Sequence, residues 1–113
     1  QNEGDVFTMD GDFFDALSNP YRRQIVRMLK WGNYSVNEIT KALEISQPSV
    51  SRHLDVLKKA NIVVAERRAN QIIYSLNLSV MQEFVGKMVE FLDDMKDLKE
   101  VRKYESNKDA YNN

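Results

Sequence analysis

The sequence predicts a mainly α-helical fold carrying one small β-hairpin, and three observations lead there. Helix-start signals (Asn19-Pro20, Ser35-x-x-Glu38, Ser46 and Ser79-x-x-Gln82) each precede a run whose apolar residues recur at three- and four-residue spacing. One stretch, residues 62–76, turns instead to β-formers on either side of a polar tip. The chain then carries Phe84, Met88, Phe91, Met95 and Leu98, spaced four, three, four and three, which is a heptad seam. A length of 113 residues suits one domain.

In chain order, residues 1–11 hold Gly4 and Gly11 without periodicity and read as a mobile acidic tail. The domain is expected over 12–104. Asp12 is placed to cap a short helix from Phe13 to Ser18, with Phe13, Ala16 and Leu17 inward. Asn19-Pro20 restarts the helix, since proline at the first helical position gives up an N–H that has no partner there. Ile25, Met28 and Leu29 form its apolar side, Arg22, Arg23, Arg27 and Lys30 its outer side, and Gly32 stands as a stop signal. The capping box of Ser35 and Glu38 opens a helix from Val36 to Leu43, with Ile39, Ala42 and Leu43 inward. After the turn Glu44-Ile45-Ser46, Ser46 caps a helix from Gln47 to Ala60 whose Val50, Leu54 and Leu57 share one face. Asn61 ends it, because asparagine tolerates the left-handed backbone of a helix terminus. Strands at Ile62-Val63-Val64 and Ile72 to Leu76 flank the tip Ala69-Asn70-Gln71, with Asn70 suited to positive φ. Ser79 and Gln82 cap the last helix, expected from about Val80 to about Tyr104 and followed by a frayed end at 105–113.

Composition narrows the function. Hydrophobic residues make up 42% and charged residues 29%, an ordinary globular balance. No apolar run has the length of a membrane span and the N-terminus lacks a basic leader, so a cytoplasmic location without membrane insertion is expected. With no cysteine and a single histidine, His53, neither thiolate chemistry nor a transition-metal site is expected. No nucleophile–base–orienter set and no glycine-rich phosphate loop stands out, so the chain does not read as an enzyme and implies no cofactor. Asp93, Asp94, Asp97 and Glu100 alternate with Lys96, Lys99, Arg102 and Lys103, as on a solvated helix face. The net charge of −1 hides a partition. Residues 1–19 carry five acids and no base, residues 20–75 carry ten bases and four acids, and residues 76–113 carry six bases and eight acids. The basic middle is the electrostatic footprint of a nucleic-acid binder.

The two capped helices in that basic middle have helix-turn-helix proportions. In this motif the second helix lays its N-terminal residues against base edges in the major groove. Gln47, Ser49, Ser51, Arg52 and His53 are the residues available there, glutamine for adenine and arginine for guanine. A hairpin tip bearing Arg67, Arg68, Asn70 and Gln71 then reads as a wing that reaches phosphates or the minor groove. Lys41, Lys58 and Lys59 are further phosphate candidates. A last helix of about 25 residues spans about 37 Å, more than so small a domain needs. Phe13 and Leu17 with Phe84, Met88, Phe91, Leu92, Met95 and Leu98 are therefore the expected homodimer interface, with Val85 and Val89 widening the stripe.

The run Leu17-Ser18-Asn19-Pro20-x-Arg22-Arg23-x-Ile25 resembles the second-helix signature of ArsR-type repressors. So does Gln47-Pro48-Ser49-Val50-Ser51-Arg52-His53-Leu54-x-x-Leu57-x-x-Ala60, and residues 66–76 resemble that family's wing. The resemblance covers roughly residues 12–92. It implies winged helix-turn-helix protomers that pair through their first and last helices, bind imperfect palindromes in double-stranded DNA and repress transcription. Many members release DNA on binding metal through cysteines near the helix-turn-helix or through His/Asp/Glu sets on the last helix. This chain has no cysteine and no histidine on that helix, so it looks closest to the metal-independent, autorepressor-like branch. Two alternatives stand beside this expectation: a winged helix used as a protein-interaction module, and a sensor released by a metal, small molecule or peptide of unknown identity.

Overall fold

The computed structural model describes the backbone of residues 11–112 and the side chains of residues 12–96. The tail expected at 1–11 thus lies, apart from the backbone of Gly11, outside the described residues, and so does the Leu98 side chain.

Helix α1 (Gly11–Ala16) begins one residue before Asp12, which sits in the first turn instead of capping it, and ends two residues before Ser18. Its last turn tightens, with Leu17 and Ser18 donating their N–H groups to the carbonyls of Phe14 and Asp15 at 3.1 Å each. Helix α2 (Pro20–Leu29) starts where the Asn19-Pro20 pair predicts, and the Asn19 side chain accepts from the N–H groups of Tyr21 and Arg22. Gly32 does not act as a left-handed stop. Its bare Cα lets the Tyr34 ring approach, since a Cβ there would stand 3.0 Å from the phenol oxygen.

Strand β1 (Tyr34–Ser35) is too short to have a sequence pattern, and it leads directly into α3 (Val36–Leu43). Ser35 and Glu38 close the capping box: the Ser35 N–H donates to Oε1 of Glu38 at 2.8 Å, and the Glu38 N–H to Oγ of Ser35 at 3.2 Å. Ile39 is buried and Leu43 half-buried, but Ala42 is exposed, because a helix this short covers only a narrow stripe. Glu44 ends α3 in the left-handed region at φ 58°.

Helix α4 (Gln47–Lys59) follows, with Val50, Leu54 and Leu57 fully buried as their spacing predicts. Asn61 takes φ 63°, the left-handed turn expected of it. Strands β2 (Val63–Arg68) and β3 (Gln71–Leu76) pair antiparallel with Arg68 opposite Gln71, so the tip is the two residues Ala69-Asn70. Positive φ falls on Ala69 (53°), not on Asn70. The sheet order β1-β3-β2 puts the hairpin's second strand in the centre.

Helix α5 runs Leu78–Asn112, past the expected end near Tyr104 and through the stretch expected to fray; between Lys87 and Asn112 there is neither glycine nor proline to stop it. Its cap is Asn77, not Ser79: the Asn77 side chain accepts from the Val80 N–H at 3.3 Å and its carbonyl from the Met81 N–H at 3.0 Å. The core lies where α1, α2, α3, α4 and the start of α5 converge on Val63, and Ile25, Ile39, Leu54 and Leu57 are among its fully buried side chains.

Candidate nucleic-acid interface

The start of α4 is organised by its own cap. Oγ of Ser46 accepts from the Ser49 N–H at 3.3 Å and donates to Oγ of Ser49 at 2.9 Å. Ser49 is thereby half-buried and committed to the helix end, while Gln47, Ser51 and Arg52 stand exposed. Gln47 and Ser51, one helical turn apart, form one wall of a cleft of about 300 Å³. The opposite wall is Asn70, Gln71, Ile72 and Tyr74 of the hairpin, and the start of α3 (Ser35, Val36, Asn37) closes the end. Four residues singled out in the sequence, Gln47, Ser51, Asn70 and Gln71, thus meet in one place. No role was legible in the sequence for Asn37 or Tyr74; both line the cleft because β1 and α3 pack beside β3, a long-range contact without a local signal.

Strand register separates the two wing arginines. Residues directly opposite in an antiparallel pair project to the same face, and faces alternate along each strand. Arg67 pairs with Ile72 and Ala65 with Tyr74, so Arg67 shares the strand face of Ile72 and Tyr74, two residues of the cleft lining. Arg68 pairs with Gln71, itself a cleft residue at the end of β3, and alternates to the face opposite Arg67 with Glu66, whose Oε1 accepts from Nη2 of Arg68 at 3.3 Å. Both partners of that ion pair are well exposed, so it restrains Arg68 only weakly. Burial, with the Asp55 carboxylate as a second cause, pushes the Tyr74 phenol up, so it faces the cleft as a neutral hydroxyl.

The remaining expected contacts lie elsewhere. His53 is half-buried against α2, its ring stacked on Tyr21 with centroids 5.9 Å apart, and Nη1 of Arg22 stands 3.3 Å from its Nδ1. Burial first, then the charges of Arg22 and Arg52, lowers the His53 pKa below 6.5. Lys41 and Lys58 are exposed near the ends of α3 and α4. Lys59 lines a second groove with Asp12, Asp15, Ala16 and Arg22, away from the wing.

Of the expected partner-facing residues, Phe13 belongs to the protomer's own core: it is 2% exposed and its ring lies 4.7 Å from that of Phe84. Leu17, Phe84 and Met88 are half-buried. Beyond Phe84 α5 leaves the core, and Val85, Val89, Phe91, Leu92 and Met95 are each about half exposed, with Phe14 of α1 nearby at 6.2 Å from the Phe84 ring. Among the described residues, no group of three or more His, Cys, Asp or Glu is placed to hold a metal ion, and no helix is long and apolar enough to cross a membrane.

Residues 19–64 match the family model described as bacterial regulatory protein, arsR family. The transcriptional repressor SdpR of Bacillus subtilis is 39% identical over 80 residues, which cover 71% of this chain and 89% of SdpR. HlyU from Vibrio cholerae has a similar structure, with a TM-score of 0.58 and 31% identity over 68% of this chain and 87% of HlyU. The homodimeric winged helix-turn-helix DNA-binding domain of Mb0332 from Mycobacterium bovis gives a TM-score of 0.61 and 27% identity, covering 74% of this chain and 76% of that domain.

Proposed function

Because the chain belongs to the arsR family of bacterial regulatory proteins, we propose that it is a DNA-binding transcriptional repressor, not an enzyme, acting in the cytoplasm as a homodimer on a palindromic operator. The observation that carries this reading is the cleft between α4 and the hairpin, where exposed Gln47 and Ser51 face Asn70 and Gln71, with Arg67 opposite Ile72, another residue of the cleft lining. A recognition helix and a wing that converge on one groove fit a major-groove contact flanked by a backbone contact. Gln47, Ser51 and Arg52 read base edges, while Arg67, Lys41 and Lys58 meet phosphates. Two protomers paired along the exposed stripe of α5 present two such surfaces to half-sites about one helical turn apart, or a multiple of that. The homodimeric state of the Mb0332 domain supports that pairing. Occupancy of a promoter then excludes polymerase.

The test is a gel-shift titration on operator DNA selected from genomic fragments and on random DNA. Arg52→Ala and Gln47→Ala should each weaken operator binding by about 1–3 kcal/mol and leave random binding much less affected. Equal losses on both DNAs would remove base reading from these residues.

A further inference from the structure

The strongest unexplained cluster lies behind the recognition helix. Arg22 of α2 spends its guanidinium on two other helices. Its Nε donates to the Ala16 carbonyl at 2.7 Å and its Nη2 to the Asp15 carbonyl at 3.2 Å, at the C-terminal end of α1. Its Nη1 stands 3.3 Å from Nδ1 of His53 on α4. A guanidinium has donors and no acceptor, so Nδ1 must accept; the contact exists only for the neutral ring with its proton on Nε2. Tyr21, one residue before Arg22, stacks on the same ring and restricts its orientation. Helix α1 in turn packs its phenylalanines on Phe84 of α5. Arg22 is therefore the polar link between the α1–α5 side of the protomer and the DNA-reading helix.

We propose that Arg22 is a positioning residue for α4, tying the carbonyl end of α1 to the neutral imidazole of His53, and that protonation of this imidazole releases the tie. The proposal rests on the DNA-binding reading above. Protonation turns Nδ1 from acceptor into donor and sets a cation against Arg22 and Arg52, so the contact becomes repulsive. The groups around the ring are Tyr21 and Arg22 from α2 and Arg52 from α4 itself; α1 reaches it through Arg22, and its carboxylates Asp12 and Asp15 line the groove on the other side of that guanidinium. Burial, Arg22 and Arg52 all favour the neutral ring, which keeps the tie closed at neutral pH.

The chain has one histidine, so its ring signals in an NMR titration are unambiguous and need no DNA. At about pH 7.5 the ring nitrogens should show a bare Nδ1 and a protonated Nε2, and the titration midpoint should rise in Arg22→Gln. A protonated Nδ1 in the neutral ring, or a midpoint unmoved by Arg22→Gln, overturns the tie. The second measurement is operator affinity by fluorescence anisotropy from about pH 7.5 to below the midpoint found in the NMR titration, for wild type and for His53→Asn. Asparagine offers an amide oxygen near the Nδ1 position and does not titrate. The two proteins should bind equally at the upper pH, and wild type should fall about tenfold behind at the lower, as expected for one lost hydrogen bond to a charged group. Arg22→Gln should bind at the upper pH as weakly as wild type at the lower. Parallel pH curves for wild type and His53→Asn overturn the positioning role. Absence of binding by every protein at every pH overturns the DNA-binding premise and the role with it, while the NMR titration still decides the tie.

Discussion

Arg67 and Arg68 are adjacent, equally charged and both exposed, yet strand alternation gives them different surroundings. Arg67 shares the face of Ile72 and Tyr74, and Arg68 stands on the opposite face beside Glu66. Arg67→Ala should therefore weaken binding to operator and random DNA alike and lower the salt slope by about one, as for one lost phosphate contact. Arg68→Ala should change both much less; the reverse order would place the DNA on the other face of the wing. His53 carries a prediction that needs no DNA. Its pKa is depressed in the folded chain, so the unfolded chain binds the proton more readily. The associated stability is present above the ordinary value of 6.5 and is lost as pH falls through the folded-state value. Urea midpoints of wild type should drop relative to His53→Asn below that ordinary value, and a rise instead would contradict the sign.

At the scale of elements, local chemistry accounts for most boundaries. Asn19, Ser35, Ser46 and Asn77 each hold an orphan N–H of the helix that follows. Glu44 at the end of α3 and the hairpin tip depart from this, the tip being a two-residue turn that places Ala69 at φ 53°. A Cβ in the left-handed region crowds the following carbonyl at a cost of about 1–2 kcal/mol, a cost glycine does not bear. Ala69→Gly should raise the urea midpoint, by about 0.5–1 kcal/mol after allowing for the greater chain entropy of glycine. A lower midpoint would mean that the methyl group makes a compensating contact.

For the whole molecule, the decisive feature is a helix that outruns its domain. At 35 residues α5 is about 52 Å long, and its apolar stripe leaves the core after Phe84. Exposed apolar side chains in a continuous stripe mark a surface for another chain. In the proposed pairing Leu92, 58% exposed, lies in that surface without supporting the protomer core. Leu92→Asp should leave the helical content of the protomer intact, shift the species seen in sedimentation from dimer to monomer, and weaken operator binding through loss of the second half-site. A mutant that stays dimeric would move the interface off this stripe.

The sequence by itself determined the order of helices and hairpin, three of the helix caps, the buried set Val50, Leu54 and Leu57, and the left-handed turn at Asn61, because each depends on residues within a few positions of one another. It also singled out Gln47, Ser51, Asn70 and Gln71, whose types and local positions announce a recognition helix and a wing. Only the tertiary structure decided that these four share one cleft with Asn37 and Tyr74, since β1 meets β3 across nearly forty residues of chain. The same holds for Phe13, which reads as partner-facing until Phe84 packs on it, and for His53, which reads as DNA-facing until α2 supplies Tyr21 and Arg22. Periodicity shows that a residue lies on an apolar or polar face, but which neighbour meets that face is set by how the helices pack. That packing turns His53 from an expected DNA contact into the proposed link behind the recognition helix.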